Sequence, residues 1–306
     1  MSVARVSFSG HESFPVRYSW LKKAVDGVAA DPHAFSKDDA MVQLGVGKNM
    51  VTSMRHWGLS LGMLEEAGLD SRNRGRVLAV TPIGEQLFRD DGWDPFLEDP
   101  GTVWLLHWKL VSQPERATAW WWVFSHYPRT DFTRQDLQSA LESLVAQNGW
   151  RATSASLKRD IDVFVRTYAP PRRAQVVHED TLESPLSELG LIRESSTLKS
   201  YRVVRSEHRT LPTTVFAYTL VEYLATRRAG AQSVTLEDLS FGAGAPGRVF
   251  CLNERGLLSR LEQLEGLTDG AIIFDETAGL KQVYVHTLPE PDVLLRQYYE
   301  AQEPRA

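Results

Sequence analysis

The chain has 306 residues, of which 42% are hydrophobic and 24% are charged, and its formal net charge at pH 7 is −5. These fractions are typical of soluble globular proteins and exclude a disordered chain, a collagen-like repeat and a simple coiled coil. The single cysteine, Cys251, excludes an internal disulfide, zinc fingers and cysteine-bound clusters. No apolar run is long enough for a membrane helix and no signal peptide is recognisable, so we predict a cytoplasmic protein without a membrane partner.

Charge is unevenly distributed along the chain. Residues 1–89 carry 11 basic and 9 acidic side chains, and residues 116–173 carry 9 basic and 5 acidic ones. Residues 174–306 carry 13 basic and 19 acidic side chains. Because a polyanion binds where positive charge dominates, this pattern favours the first half of the chain as a surface for nucleic acid.

Apolar periodicity and turn residues predict a helix-turn-helix within the first ninety residues. Residues 17–30 place apolar side chains at helical spacing, and a short helix is predicted at 38–44. After a glycine-containing turn at 45–47, a longer helix is predicted over 48–64, followed by a charged loop and a short strand at 77–80. This order of helices, turn and charged hairpin is typical of a winged helix.

The same order of elements recurs later in the chain, without sequence identity between the repeats. The fold class we predict is mainly α with small β-wings, in which winged helix-turn-helix units are joined by a helical connector rich in tryptophan. Helices are predicted at 133–145, 154–168, 216–225, 236–239 and 254–265, with hairpin strands at 271–275 and 282–285. The predicted domains are an N-terminal winged-helix DNA-binding domain at 1–92, the connector at 93–130, a second winged-helix-like domain at 131–209 and a C-terminal one at 210–306.

The helix that begins at Lys48 carries the strongest functional pattern in the sequence. It opens with polar residues and holds further polar side chains off its apolar stripe, as a groove-reading helix does. Asparagine reads adenine edges, arginine reads guanine or holds phosphate, and arginines in the hairpin loop suit the DNA backbone. The predicted DNA-binding residues are Arg17, Lys48, Asn49, Ser53, Arg55, His56, Arg72, Arg74 and Arg76. The alternative is a winged-helix fold that contacts other proteins.

No established nuclease signature is present, and the G-x-G-x-x-G spacing at 242–247 follows no apolar strand, so that segment is predicted to be a turn. His11 and Glu12 are the leading catalytic candidates, because histidine can carry a proton and a carboxylate can hold Mg²⁺. Glu12 and Asp160 are the candidate metal ligands. The alternative is a buried network of His11, Glu12 and Arg17 that anchors the N-terminal segment.

Several short strings form a distinctive pattern over about residues 7–290. They are FSGHESFPVR at 8–17, WLK at 20–22, LGVGKNM at 44–50, RHW at 55–57, KRDIDVF at 158–164, RTY at 166–168, ED at 179–180 and SPLSELGLI at 184–192. This pattern resembles the DUF4007 family, a bacterial family catalogued as a domain of unknown function.

Members of that family are encoded beside sulfur-transfer enzymes, and one branch of the family is the nicking component of a single-stranded DNA phosphorothioation defence system. The resemblance therefore implies a Mg²⁺-dependent DNA-nicking protein whose partners are DNA, a cysteine desulfurase, an ATP-pyrophosphatase-like enzyme and an ATPase. Two alternatives remain open: a non-catalytic winged-helix adaptor that recruits the sulfur-transfer enzymes to DNA, and a transcriptional regulator.

Overall fold

The computed structural model describes residues 5–69, 76–169, 184–195 and 199–302. These residues form helices and three small antiparallel sheets, which confirms the prediction of a mainly α fold with small β elements. Contacts divide the chain into unit 1, made of Met1–Trp122 with Arg129–Val203, and unit 2, made of Val123–Pro128 with Val204–Ala306. Unit 1 holds most of the first three predicted domains, and unit 2 holds most of the fourth.

The helices of unit 1 pack around a core rich in tryptophan. Trp57 and Trp104 are fully buried, and Trp108 is 4% exposed. The helices are α1 (Tyr18–Ala30), α2 (Ala40–Leu44), α3 (Lys48–Ser60), α4 (Pro82–Phe88), α5 (Pro100–Val111), α6 (Thr118–Ser125), α7 (Arg134–Gln147) and α8 (Ser154–Tyr168). The last three residues of α6 belong to unit 2. Short 3-10 helices lie at Ala34–Ser36 and Pro185–Leu189.

Local sequence explains where several of these helices begin. The Thr81 side chain accepts a hydrogen bond from a backbone N–H in the first turn of α4. Thr133 and Asp136 cap each other reciprocally at the start of α7, and Thr153 and Ser156 do the same at the start of α8. Because capping acts within one turn of the chain, these helix starts were predictable from the sequence.

Helix α3 is shorter than predicted, because it ends at Ser60 instead of continuing to Leu64. Gly62 adopts φ +76°, a left-handed conformation that stops the helix and favours glycine. The chain then enters β1 (Leu64–Leu69), which pairs antiparallel with β2 (Arg76–Val80). A hairpin therefore follows α3, where the wing was predicted, while the winged-helix assignment itself stays a prediction.

A second sheet of unit 1 joins strands that are distant in sequence. Its strands are β3 (Asp131–Phe132), β4 (Ile192–Glu194) and β5 (Tyr201–Val203), and their order is β3–β5–β4. Strand β5 therefore lies in the middle and pairs antiparallel with both neighbours.

Unit 2 contains a three-stranded antiparallel sheet and several helices. Its elements are α9 (Thr213–Arg227), β6 (Ser233–Thr235), α10 (Leu236–Phe241), α11 (Pro246–Val249), α12 (Glu254–Leu261), α13 (Leu264–Leu267), β7 (Ile272–Thr277), β8 (Leu280–Val285) and α14 (Pro291–Glu300). The strand order is β6–β8–β7, and α14, which was not predicted, packs against α9. The segment 242–247 follows helix α10 and not a strand; residues 242–245 are non-helical, as the predicted turn requires, and the last two residues begin α11. Among the described residues, no helix has the length and apolar character needed to cross a membrane.

Candidate functional site

The N-terminal end of α3 presents polar side chains at the surface. Gly47 occupies the cap position with extended backbone, and Gly45 makes the preceding left-handed turn at φ +65°. Lys48 and Asn49 are exposed in the first turn, and neither side chain forms a hydrogen bond or ion pair with another described residue. These two predicted DNA-binding residues are therefore accessible, and we call them the α3 tip.

The other predicted residues of α3 do not share this exposure. Ser53 is fully buried, so it lies on the core side of the helix and does not belong to an exposed reading face. The Arg55 guanidinium donates to Glu66 at 3.1 Å, and Arg116 donates to the other carboxylate oxygen of Glu66 at 3.2 Å. Arg55 is thus held by the hairpin strand β1. His56 points inward, toward the N-terminal segment of the chain.

The predicted wing arginines fall largely outside the described residues. Arg72 and Arg74 fall in the segment 70–75, between β1 and β2 in the sequence and outside the described residues. Arg76 begins strand β2, and its backbone pairs with the end of β1, while its side chain is also outside the described part. Contact between these arginines and DNA remains a prediction.

The N-terminal segment 7–14, which we call the arm, is held against α8. His11 donates from Nε2 to Asp160 Oδ1 at 2.9 Å, and the Ser9 backbone N–H donates to the same oxygen at 2.6 Å. His11 and Asp160, here called the buried pair, are each 1% exposed. The Ser13 N–H donates to His11 Nδ1 at 3.3 Å, so both ring nitrogens of His11 have a hydrogen-bond partner.

Aromatic rings enclose the buried pair. The His11 ring stacks on Trp57 with centroids 6.2 Å apart, and Trp120 meets its edge at 5.5 Å. Trp57 also donates its indole N–H to the Phe14 carbonyl at 3.0 Å, which ties the end of the arm to α3. This apolar enclosure raises the pKa of Asp160 through burial, and the hydrogen bond from His11 opposes that rise.

His56 packs against the arm beside His11 and Gly10. Its ring meets the His11 ring edge-on with centroids 5.8 Å apart, and its Nε2 lies 3.4 Å from Ser60 Oγ. Burial first, and then the charges of His11, Arg116 and Arg55, lower the pKa of His56 to about 3. His56 is therefore neutral at pH 7 and belongs to the packing of the arm, away from the α3 tip.

Gly10 is required by the close approach of the arm to His56. A Cβ atom at Gly10 would lie 2.4 Å from His56 Nδ1. We expect Gly10→Ala to lower the free energy of unfolding by about 1–3 kcal/mol, measured by urea denaturation, because the packed ring must shift. In the double variant Gly10→Ala/His56→Ala the methyl group has room, so the two losses should be less than additive. Simple additivity would contradict the steric explanation.

The two remaining candidates of the arm have different surroundings. Glu12 is partly exposed and takes φ +51°, beside Ser13 at φ +87°, so the chain turns sharply just after His11. Arg17 lies over the rings of Phe14 and Trp20, 5.8 and 5.3 Å from their centroids. The anchoring network predicted from His11, Glu12 and Arg17 is built differently, since the partner of His11 is Asp160.

The surroundings of Asp160 do not suit a hydrated magnesium ion, which keeps near-octahedral geometry and usually several waters. Its Oδ1 already accepts two hydrogen bonds, and its Oδ2 is buried without a hydrogen-bond partner among the described residues. Nowhere in the described ranges do three His, Cys, Asp or Glu side chains come together to hold a metal. Ligation by Glu12 and Asp160 stays a prediction that this geometry does not support.

The sequence gives no local indication of most contacts that hold the arm. Arg166 donates to the Ser13 carbonyl, the Ser7 N–H donates to Thr118 Oγ1 at 2.9 Å, and Ser9 Oγ donates to the Ser156 carbonyl at 3.0 Å. These contacts join residues more than one hundred positions apart, so no local pattern indicates them. One signal was available, because Asp160 occupies a position bordering the apolar stripe of α8 and so needs a polar partner when buried.

Comparison with known proteins gives one family and two structures. The family profile described as "Protein of unknown function (DUF4007)" matches residues 8–299. The chain is similar to a solved structure described as "SspB crystal structure", with a TM-score of 0.88 and 32% identity, over 98% of this chain and 90% of that chain. It is also similar to "Magnesium ion-bound SspB crystal structure", with a TM-score of 0.85 and 31% identity over the same shares. No curated protein matches.

Proposed function

The chain belongs to the DUF4007 family, and from that premise we propose that it is the DNA-nicking component of a bacterial phosphorothioate-modification defence system. The observation that carries this proposal is the similarity to SspB over nearly the whole of both chains. The magnesium ion bound in one of those relatives supports a Mg²⁺-dependent activity here. The resemblance also supplies the proposed partners, which are DNA, a cysteine desulfurase, an ATP-pyrophosphatase-like enzyme and an ATPase.

The α3 tip is the proposed contact with duplex DNA. Lys48 and Asn49 are exposed at the start of a helix, where the N-terminal end of the helix dipole also favours an anion. The hairpin β1–β2 follows in the chain and carries the predicted wing arginines. In this proposal Asn49 contacts a base edge or phosphate and Lys48 neutralises phosphate.

Bound Mg²⁺ would activate water and stabilise the leaving oxygen of the cut strand. The buried pair is enclosed by aromatic rings, so in this arrangement His11 orients the arm and does not meet a phosphate. Glu12, which is partly exposed beside it, remains the proposed catalytic carboxylate.

A second candidate function is a non-catalytic adaptor that binds DNA and recruits the sulfur-transfer enzymes. The observation that favours it is the burial of His11 and Asp160, each 1% exposed, since two of the three candidate catalytic or metal-binding residues are then committed to holding the arm. The two functions differ in one property, because only the first breaks a phosphodiester bond.

Nicking of supercoiled plasmid by purified protein, with Mg²⁺ or with EDTA, tests the proposal. We expect open circles only with Mg²⁺, and at least tenfold fewer with Lys48→Ala/Asn49→Ala because each lost phosphate or base contact weakens DNA binding. Glu12→Gln should bind DNA normally and fail to nick. The matched controls are Lys37→Ala, since Lys37 already pairs with Asp31, and Glu98→Gln at an exposed carboxylate.

The outcomes separate the two candidate functions. Intact plasmid with a normal gel shift of duplex DNA would replace the nickase by the adaptor. Nicking by Glu12→Gln at the wild-type rate would keep the enzyme and remove Glu12 from its site. Neither nicking nor duplex binding by the wild-type protein would overturn both candidates.

A further inference from the structure

Unit 2 presents one aromatic side chain prominently at its surface. Phe241 is 59% exposed at the end of α10. The Cβ of a residue larger than glycine at position 242 would lie 2.3 Å from the Asp238 carbonyl oxygen, so the chain turns tightly after Phe241. Gly242 therefore fixes the backbone directly after this ring. Gly242 opens the G-x-G-x-x-G segment, which follows a helix and so lacks the preceding strand of a dinucleotide-binding motif.

Two arginines contact Phe241, one at its ring and one at its backbone carbonyl. The Arg205 guanidinium lies over its ring, 5.2 Å from the centroid, and donates to the Leu252 carbonyl at 3.2 Å. Arg248 donates to the Phe241 carbonyl at 3.0 Å and to two further carbonyls, those of Phe124 at 3.3 Å and Tyr127 at 3.1 Å. All of these acceptors are neutral, so the contacts orient both guanidinium groups without cancelling their charges.

The positive charge of this region is not neutralised by carboxylates. Arg205 and Arg248 form no ion pair with any described residue, whereas Arg209 and Arg228 of the same unit pair with Glu207 and Asp238. Arg205 is exposed beside the ring, so an unpaired positive charge lies next to Phe241 in the acidic part of the chain.

We propose that Phe241, Arg205 and Arg248 form a binding site for single-stranded DNA. A base stacks on the exposed ring of Phe241, and the arginines contact the phosphates on either side, the combination by which proteins hold unpaired strands. Duplex DNA keeps its bases inside the helix and offers none for stacking, so the exposed ring favours a single strand. This inference rests on the proposed function in one respect, which is the choice of DNA over RNA as the bound strand.

Fluorescence anisotropy with a fluorescein-labelled dT20 oligonucleotide tests this site. Phe241→Ala should weaken binding of dT20 by about tenfold, since loss of base stacking on one ring corresponds to roughly five- to hundredfold. Arg205→Ala should weaken binding and reduce the slope of log K against log salt by about 0.7, the value for one phosphate contact on a single strand. Arg209→Ala, which removes an equal charge from an existing ion pair, is the control and should change neither quantity.

A labelled 20-mer of abasic sites separates stacking from charge. We expect it to bind the wild-type protein about as weakly as dT20 binds Phe241→Ala. Equal binding of the abasic strand and dT20, or wild-type binding of dT20 by Phe241→Ala, would overturn the site. Lys48→Ala/Asn49→Ala should retain dT20 binding, so a failure of the proposed duplex contact and nicking is seen in the plasmid assay independently of this result.

Discussion

Replacing Asp160 by alanine should lower the free energy of unfolding of unit 1 by about 3–5 kcal/mol, the usual cost of removing one partner of a buried pair. The substitution leaves His11 Nε2 and the Ser9 N–H without their acceptor inside an aromatic enclosure. Each unsatisfied buried polar group adds a desolvation cost of about 1–3 kcal/mol. Urea denaturation followed by tryptophan fluorescence measures this loss, because all nine tryptophans lie in unit 1.

Asp162→Ala is the matched control for this prediction. Asp162 lies two residues further along α8, is 44% exposed and pairs with Arg134 at 3.3 Å, so its loss should cost no more than about 1 kcal/mol. Asp160→Asn keeps the shape and one acceptor oxygen and should fall between the two. A protein with Asp160→Ala that is as stable as the control and fails to nick DNA would contradict the structural role and make Asp160 a candidate for the chemistry.

The difference between Asp160 and Asp162 marks what the sequence could predict. The apolar periodicity and the caps of α8 act within the helix, so its bounds and the different directions of the two carboxylates were predictable. The partner of Asp160 is His11, 149 residues away, and depends on how the arm packs between α3 and α8. Periodicity carries no information about such a contact.

The predicted reading face of α3 shows the same limit. Sequence spacing places Arg55 and His56 off the apolar stripe, and that position is equally consistent with solvent, DNA or a neighbouring segment. In the structure Arg55 pairs with Glu66 and His56 packs against Gly10, since the hairpin and the arm occupy those sides of the helix. Of the α3 residues predicted to bind DNA, only Lys48 and Asn49 are exposed, because they lie beyond both neighbours.

Helix α14 was not predicted, although its sequence contains a typical helix start and an apolar side. Pro291 stands at its start, a favoured first-turn position, and Leu295 and Tyr299, four residues apart, are buried on one side of it. The helix packs on α9, so the end of the described chain contributes to the core of unit 2.

The arm links α3, the proposed DNA-binding helix, to α8 within unit 1. Trp57 of α3 holds the Phe14 carbonyl, and Asp160 of α8 holds Ser9 and His11, so one segment fastens the proposed DNA-binding helix to the second half of the unit. Loss of the buried pair should therefore weaken duplex binding even though neither residue meets DNA. Substitution at the α3 tip should weaken DNA binding and leave stability unchanged. This contrast distinguishes residues that contact DNA from residues that hold the DNA-binding helix in place.

Acid should destabilise unit 1 through His56. The pKa of His56 is lowered to about 3 in the folded protein, against about 6.5 for an unperturbed histidine. Below pH 6.5 the unfolded chain therefore binds a proton on His56 that the folded protein does not bind, and the free energy of unfolding falls as the pH decreases. Between pH 7 and pH 4 the loss from this residue is about 3 kcal/mol, because each pH unit below 6.5 contributes about 1.4 kcal/mol.

Comparison of the wild-type protein with His56→Gln isolates this contribution. The raised pKa of Asp160 acts in the opposite direction, because the folded protein then binds a proton more readily than the unfolded chain, and that effect is present in both proteins. Urea denaturation at pH 7 and pH 4, followed by tryptophan fluorescence, should give a pH-dependent loss about 3 kcal/mol smaller in His56→Gln. The same substitution at exposed His286 in unit 2 should leave the wild-type loss unchanged. An equal loss in His56→Gln and the wild type would mean that the folded protein accepts a proton on His56, and that the arm does not exclude water from this ring.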